Sequence, residues 1–235
     1  MQATKASPEV NRLLAVLPRK DVVRFLRGCK AIRLEFAEVL ARTGEPIRHV
    51  YFPIDSLISQ LTSSEGNASL EVGLIGDEGM LGISLVLGVN VSPLNAVVQN
   101  AGSALRMTAK VFRRELDLSP ALRSVMKRYL HVVLGQFAQA AACTRFHVVQ
   151  ARLARLLLMT RDRAHSDAFH VTHEVLADML GVRRVGVTKA ATWLQDRELI
   201  RYRRGNIEII DPRGLEAVSC GCYAADKQAY ARTMG

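Results

Sequence analysis

The stretch from Thr172 to Asp211, THEVLADMLGVRRVGVTKAATWLQDRELIRYRRGNIEIID, admits few folds. Thr172 can accept hydrogen bonds from the first turn of a helix, and Val175, Leu176, Met179 and Leu180 give that helix one apolar side. Gly181 then supplies a turn, because a residue without Cβ takes positive φ at little cost. A second helix is expected from near Arg183 to about Asp196. At about 100° per residue, Val187, Ala191 and Leu194 form its buried face, and Gly186, Ala190 and Ala191 are small enough for the first helix to approach. Two helices joined by a short glycine turn make a helix-turn-helix. Leu199 to Ile210 then reads as two strands around an Arg204-Gly205-Asn206 turn, a wing.

The charge on this segment points to a polyanion. From Gly181 to Gly205 there are seven Lys/Arg against two Asp/Glu. Val185, Lys189 and Thr192 lie opposite the buried face, with Arg184 and Thr188 at its margin near the N-terminal end. In a helix-turn-helix that end enters the major groove. Arg184, Val185, Thr188 and Lys189 are therefore the candidates for reading bases. Arginine offers two parallel donors to guanine O6 and N7, and valine can pack on a thymine methyl. Arg183, Thr192, Arg201, Arg203 and Arg204 are candidates for phosphate contacts, which set register without reading sequence. The formal net charge of the whole chain, +10, agrees with a double-stranded DNA partner.

Upstream, the texture changes twice. Leu13, Leu14, Leu17, Val22, Val23 and Leu26 recur at helical intervals, interrupted by Pro18, with Asp21 placed to cap a second short helix. From about 31 to 110, turn signals (Thr43 to Pro46, Ser64 to Asn67, Gly76 to Gly79, Asn100 to Gly102) separate the β-rich runs HVYF, SLISQLT, SLEVGLIG, NAVVQN and SALRMT. Short strands at this spacing predict a roll or sandwich. Ser119-Pro120 then opens a long helix. Leu122, Met126, Tyr129, Val133, Gln136, Ala140 and Cys143 follow a 4,3 spacing along it, the pattern of a dimer seam. A further helix is expected from about His147 to Arg163, with Val149, Leu153, Leu156, Leu157 and Thr160 on one side and Arg152, Arg155 and Arg161 on the other.

A roll, a long helix and a winged helix-turn-helix, in that order, resemble the Crp/Fnr family of bacterial transcription regulators over nearly the whole chain. LADMLGVRRVGVTKAATWLQDRELI carries the resemblance in the C-terminal part, and EPIRHVYFPIDSLIS with EVGLIGDEGMLG carries it in the roll. It implies an α+β fold with three parts: an N-terminal β-roll (a cyclic-nucleotide-binding-like jelly roll), a long dimerisation helix and a C-terminal winged helix-turn-helix. The boundaries expected are 1–117 for the roll, 118–146 for the helix, 147–223 for the DNA-binding domain and 224–235 for a tail. It also implies a homodimer reading a near-palindromic site, RNA polymerase as a partner, and an effector of unspecified kind in the roll. Arg184 and Lys189 match the family's basic groove-reading positions, while Val185 stands where the family often has glutamate. The cyclic-nucleotide cassette departs further. Ile83 follows Gly82 where the family places glutamate, and the segment containing Pro93 has no cation for a cyclic phosphate. Phe137 and Ala138 fall where nucleotide-responsive members place polar purine contacts. Gly82, Ile83, Pro93, Phe137 and Ala138 thus mark a degenerate effector pocket, and tight cyclic AMP binding is not expected.

Other chemistries find little support. Four cysteines, Cys29, Cys143, Cys220 and Cys222, are irregularly spaced and read as free thiols in a reducing cytoplasm, with Cys220 and Cys222 incidental. No metal site or cofactor is expected: His49 and His131 lack partners at ligand spacing, and His170 and His173 straddle a strand-to-helix junction. No Gly-rich phosphate loop or nucleophile elbow is present, and Asp77-Glu78 reads as a surface turn, so no enzyme is expected. The opening MQATKASPEV lacks an apolar leader core, and no membrane association is expected. An alternative remains: a ligand- or redox-sensing module whose helix-turn-helix docks a protein.

Overall fold

The computed structural model describes residues 11–63 and 69–235; the turn expected over Ser64 to Asn67 lies outside them. Two short helices come first, α1 (Arg12–Ala15) and α2 (Arg19–Arg27). Asn11 caps α1 by accepting from Leu13 and Leu14. Asp21 does not cap α2, as the sequence suggested. It sits buried in the first turn, where it accepts from the Ser119 hydroxyl at 3.0 Å and pairs with Arg24 at 2.8 Å.

Among the described residues seven strands follow: β1 (Lys30–Leu34), β2 (Val39–Ala41), β3 (His49–Pro53), β4 (Leu57–Ser63), β5 (Ser69–Ile75), β6 (Asn95–Asn100) and β7 (Gly102–Thr108), with a short 3-10 helix at Ile83–Leu87. They form two antiparallel sheets, ordered β1-β7-β3 and β2-β6-β4-β5. Leu34, Tyr51, Ile58, Ile75, Leu81, Ala96, Val98 and Ala104 form one buried cluster of the roll, contributed by strands of both sheets. A second core joins β3 and β7 to the helices, where Phe25, Phe52 and Phe112 meet with centroids 5.3, 6.4 and 6.2 Å apart. Each such aromatic contact adds about 0.5–1.5 kcal/mol beyond burial.

Helix α3 (Ala109–Leu118) leads to α4 (Pro120–Phe146), where Ser119 accepts from Leu122 N and Pro120 sits in the first turn. Leu122, Met126, Tyr129, Val133, Ala140 and Cys143 are buried within the protomer, and Gln136 is half-buried. The expected dimer seam is therefore turned inward. The roll and a C-terminal helix cover it, because the wide apolar face of α4 finds both of its covers in its own chain. The stripe left exposed runs along Lys127, His131, Leu134, Ala138, Ala141 and Arg145.

Next come α5 (Val149–Ala164), β8 (Ala168–His170), α6 (His173–Leu180), α7 (Arg184–Gln195), β9 (Ile200–Arg203), β10 (Asn206–Ile209), α8 (Pro212–Val218) and α9 (Cys222–Met234). Strands β8, β10 and β9 form one antiparallel sheet in that order. Arg152 and Arg155 do not lie on the outer side of α5. Arg152 is buried and donates to the Leu180 carbonyl, and Arg155 pairs with Asp226 at 2.6 Å. The residues expected as a tail belong to α9. This helix packs along α4, places Met234 in the second core, and donates a hydrogen bond from the Tyr230 hydroxyl to the Glu78 carbonyl at 2.8 Å.

Candidate nucleic-acid interface

The helix-turn-helix is built by local rules. Thr172 accepts from Val175 N at 3.3 Å and starts α6, a cap worth about 1 kcal/mol. Gly181 ends the helix with φ +60, and its N–H returns to the carbonyls of Ala177 and Asp178. A Cβ there would be strained by that φ and would stand 3.0 Å from Leu70 Cδ1 of β5. One glycine thus makes the turn and lets it approach the roll.

On α7, Val187, Ala190, Ala191 and Leu194 are buried. Arg183, Arg184, Val185, Thr188, Lys189 and Thr192 are all exposed. Val185 keeps 59% of its surface in solvent, opposite the buried face of the helix. Gly186 is not part of the tight packing expected of it: a Cβ there would meet Val182 only at 3.9 Å. The Thr188 hydroxyl donates to the Arg184 carbonyl at 3.1 Å and lies 3.1 Å from His173 Nδ1. His173 stacks on Tyr202, with centroids 4.3 Å apart and planes at 12°. Burial, helped by the nearby charge of Arg184, lowers the His173 pKa and so favours the neutral imidazole beneath the helix.

The wing turn is two residues, Arg204-Gly205, with Asn206 already paired to Arg203 in the ladder. Both turn residues have positive φ, 51° and 82°, the type I′ geometry that matches strand twist. Arg203 and Arg204 are exposed at its tip. Arg201 is exposed too, but pairs across the hairpin with Glu208 at 2.5 Å, which diverts part of its charge from any phosphate. Arg197 lies over the Trp193 ring at 3.7 Å and donates to the Trp193 carbonyl. Among the described residues, Arg183, Arg184, Lys189, Arg203 and Arg204 make no ion pair with this chain. The structure thus brings five cations, one exposed valine and two threonines to the outer edge of α7 and the wing.

The five residues expected around an effector pocket are dispersed. Ile83 and Phe137 pack against the same core, while Pro93 and Ala138 are exposed. Gly82 borders a cavity of about 390 Å³ that is lined mainly by β2, β3 and the loop between them, with none of the other four in its wall. The Phe137 ring presses against the roll: a Cβ on Gly73 would stand 3.0 Å from its Cε1. An aromatic side chain fills space between α4 and β5.

Two features escaped the sequence. Asp77 and Glu78 form no surface turn; both are buried. Asp77 pairs with Arg12 at 2.9 Å and lies 3.3 Å from His165 Nε2. Glu78 meets Arg163 at 2.6 Å, with both side chains nearly covered. Turn preference was right about the backbone and wrong about exposure, because the partners come from α5 and from the chain's beginning. The second feature is the convergence of Cys143, expected in the dimer seam, and Cys220 and Cys222, expected to be incidental, with His147. Hydrogen bonding from Cys220 holds the Cys143 thiol far down, at about 4, and the same contact raises Cys220. No signal in the local spacing reveals this, since the two halves are separated by the whole DNA-binding domain.

Residues 151–218 match the Crp-like helix-turn-helix domain. Among curated proteins, none matches the chain. Solved structures are similar in fold. A putative Crp/Fnr-family transcriptional regulator from Eubacterium rectale is 14% identical, with a TM-score of 0.68 over 88% of this chain and 96% of that one. FixK2 from Bradyrhizobium japonicum is 12% identical, with a TM-score of 0.70 over 82% and 98%. The c-di-GMP-responsive global regulator CLP of Xanthomonas campestris is 17% identical, with a TM-score of 0.67 over 82% and 99%. No helix among the described residues is long and apolar enough to cross a membrane. Residues 151–218 thus carry a Crp-like helix-turn-helix domain, and the chain as a whole shares the fold of these solved Crp/Fnr-family structures.

Proposed function

We propose that the chain is a homodimeric, sequence-specific DNA-binding regulator of transcription that reads a near-palindromic site. One observation carries the reading: the outer edge of α7 is exposed and cationic from Arg183 to Thr192, while its other face is buried. Arg184, Val185, Thr188 and Lys189 face the bases, and Arg183, Thr192, Arg203 and Arg204 face phosphates. Arg201 contributes less, because Glu208 already holds it. Two copies related by a two-fold axis would present their α7 helices to half-sites about 34 Å apart. The exposed α4 stripe around Leu134, Ala138 and Ala141 supports a second copy as its cover: small side chains let two helices approach closely.

The chain does not respond to cyclic AMP in this reading. Ile83 offers no acceptor to a ribose, Val91 to Asn95 offers no cation to a phosphate, and burying an unpaired phosphate is costly. Phe137 occupies space against Gly73. Calorimetric titration with cyclic AMP is expected to show no micromolar binding. A different effector, or RNA polymerase, would bias the seating of the head on the roll.

The test is selection of bound sequences from a random duplex pool at physiological salt. A two-fold-symmetric motif is expected. Arg184→Ala should then cost about 1–3 kcal/mol on that motif and relax preference at one position, whereas Arg203→Ala should weaken all duplexes alike and flatten the salt dependence. Recovery of no motif, or unchanged selectivity in Arg184→Ala, sinks the assignment.

A further inference from the structure

Three of the four cysteines meet one histidine at the junction of the long helix and the DNA-binding head. Cys143 lies in the last turn of α4, and His147 caps that helix, so the two are one turn apart on one face. Cys220 and Cys222 flank Gly221 at the start of α9. The Cys143 and Cys220 sulfurs are 3.5 Å apart, the Cys222 sulfur is 3.5 Å from His147 Nδ1, and all four donor atoms lie within 4.8 Å of one another. Zinc bonds of about 2.3 Å to sulfur and about 2.0–2.1 Å to nitrogen give tetrahedral edges of about 3.8 Å for S···S and about 3.5 Å for S···N. The Cys143–Cys220 and Cys222–His147 separations already stand close to those edges, and the other donor pairs lie within 4.8 Å.

We propose that Cys143, His147, Cys220 and Cys222 hold a single tetrahedral Zn²⁺ ion through three sulfurs and one imidazole nitrogen. Three thiolates and one neutral imidazole form a closed set that leaves no position for water, the arrangement of structural zinc. The donors crowd around one point, which suits one ion and leaves no room for a multi-iron cluster. The surroundings fit an anionic centre. Gln139 Nε2 donates to the Cys222 sulfur at 2.9 Å, an outer contact that orients a ligand. Arg155 stands within electrostatic reach of Cys143 and Cys220, and its Nε is buried without a hydrogen-bond partner. Arg152 is likewise within electrostatic reach of both sulfurs and adds its positive charge to that of Arg155, part of which Asp226 takes up, against the negative charge that three thiolates leave around a divalent ion. The three cysteines are buried, whereas a redox pair needs an accessible thiolate. A Cys143–Cys220 disulfide would also leave Cys222, His147 and the Gln139 contact without a purpose. In the fold, the ion fastens the start of α9 to the exit of α4, where the long helix hands over to α5. It therefore fixes how the head sits on the helix without touching DNA.

The test uses the full chain, purified with reductant, stripped with chelator and titrated with Co²⁺ and then Zn²⁺. One equivalent of Co²⁺ is expected to give the visible bands of a tetrahedral site and a thiolate charge-transfer band, both bleached by one equivalent of Zn²⁺. Cys222→Ser and His147→Ala should each weaken binding by more than about 100-fold, and Gln139→Leu by about 10–100-fold. Cys29→Ser, remote from the site, should change nothing. His147 is exposed, so its variant keeps the question answerable if Cys222→Ser fails to fold by circular dichroism. The proposal is overturned if no tetrahedral spectrum appears, if the spectrum survives in His147→Ala, or if four thiols stay equally reactive with and without metal. Isolation of a Cys143–Cys220 disulfide whose reduced form takes up no metal would overturn it as well.

Discussion

Single residues in this protein set ionisable groups inside packed surroundings. Glu71 of β5 is the clearest case. Burial pushes its carboxyl up to about 7, against the pull of the Ser59 hydroxyl, Arg155 and Arg163, and Ser59 donates to it at 2.5 Å. The unfolded carboxyl titrates near 4.5. Between those values the folded protein holds a proton that the unfolded chain has released, so its stability contribution is complete at low pH and is lost as pH rises through about 7. Glu71→Gln keeps the neutral form and is expected to flatten the dependence of Tm on pH between 4.5 and about 7; an unchanged slope in thermal melts would remove Glu71 as its source. The two faces of α7 were readable because helical periodicity sorts them: Val187, Ala191 and Leu194 go in, and Arg184 and Lys189 go out. Arg152 and Arg155 defeated the same rule. Their long stems bury well, and what neutralises Arg155 is Asp226, far along the chain. No window of sequence holds both.

At the scale of elements, the β-rich runs of the roll became β3 to β7 almost as read, and Ser119-Pro120 did start α4. Strands β1 and β2 and helices α3 and α9 were not anticipated, because none has strong turn signals at both ends. The α4 spacing was visible, but its orientation was not. A 4,3 line specifies a seam and says nothing about which surface fills it; here the roll and α9 do. The outward stripe predicts a different contact. Leu134→Glu puts a charge at an exposed position, 60% in solvent, so it should leave the protomer folded. If the stripe joins two copies, size-exclusion with light scattering should show a dimer becoming a monomer, with affinity for a palindromic duplex falling accordingly. A variant that remains dimeric would move the interface elsewhere.

Across the whole molecule, the head is seated on the roll by charge as well as by apolar packing. Arg163 of α5 reaches Glu78 of the roll, Gly76 leaves room for its stem, and Glu78 Oε2 has no further partner. Removing one member of such a buried pair strands the other. Arg163→Ala is expected to cost about 3–5 kcal/mol in urea unfolding, more than truncating both members together; equal costs for the single and double variants would mean that the pair is not coupled. None of this seating was legible, since each contact joins residues from different thirds of the chain.

The position of α9 has a consequence for how the molecule is made. Met234 is buried in the second core, the cluster that also holds Leu13, Leu14 and Phe52, yet it follows the entire DNA-binding head in chain order. On the ribosome the first part to be synthesised is therefore among the last to be finished. The core around α1, α2, β3 and β7 lacks this side chain until residues from beyond the head have been made.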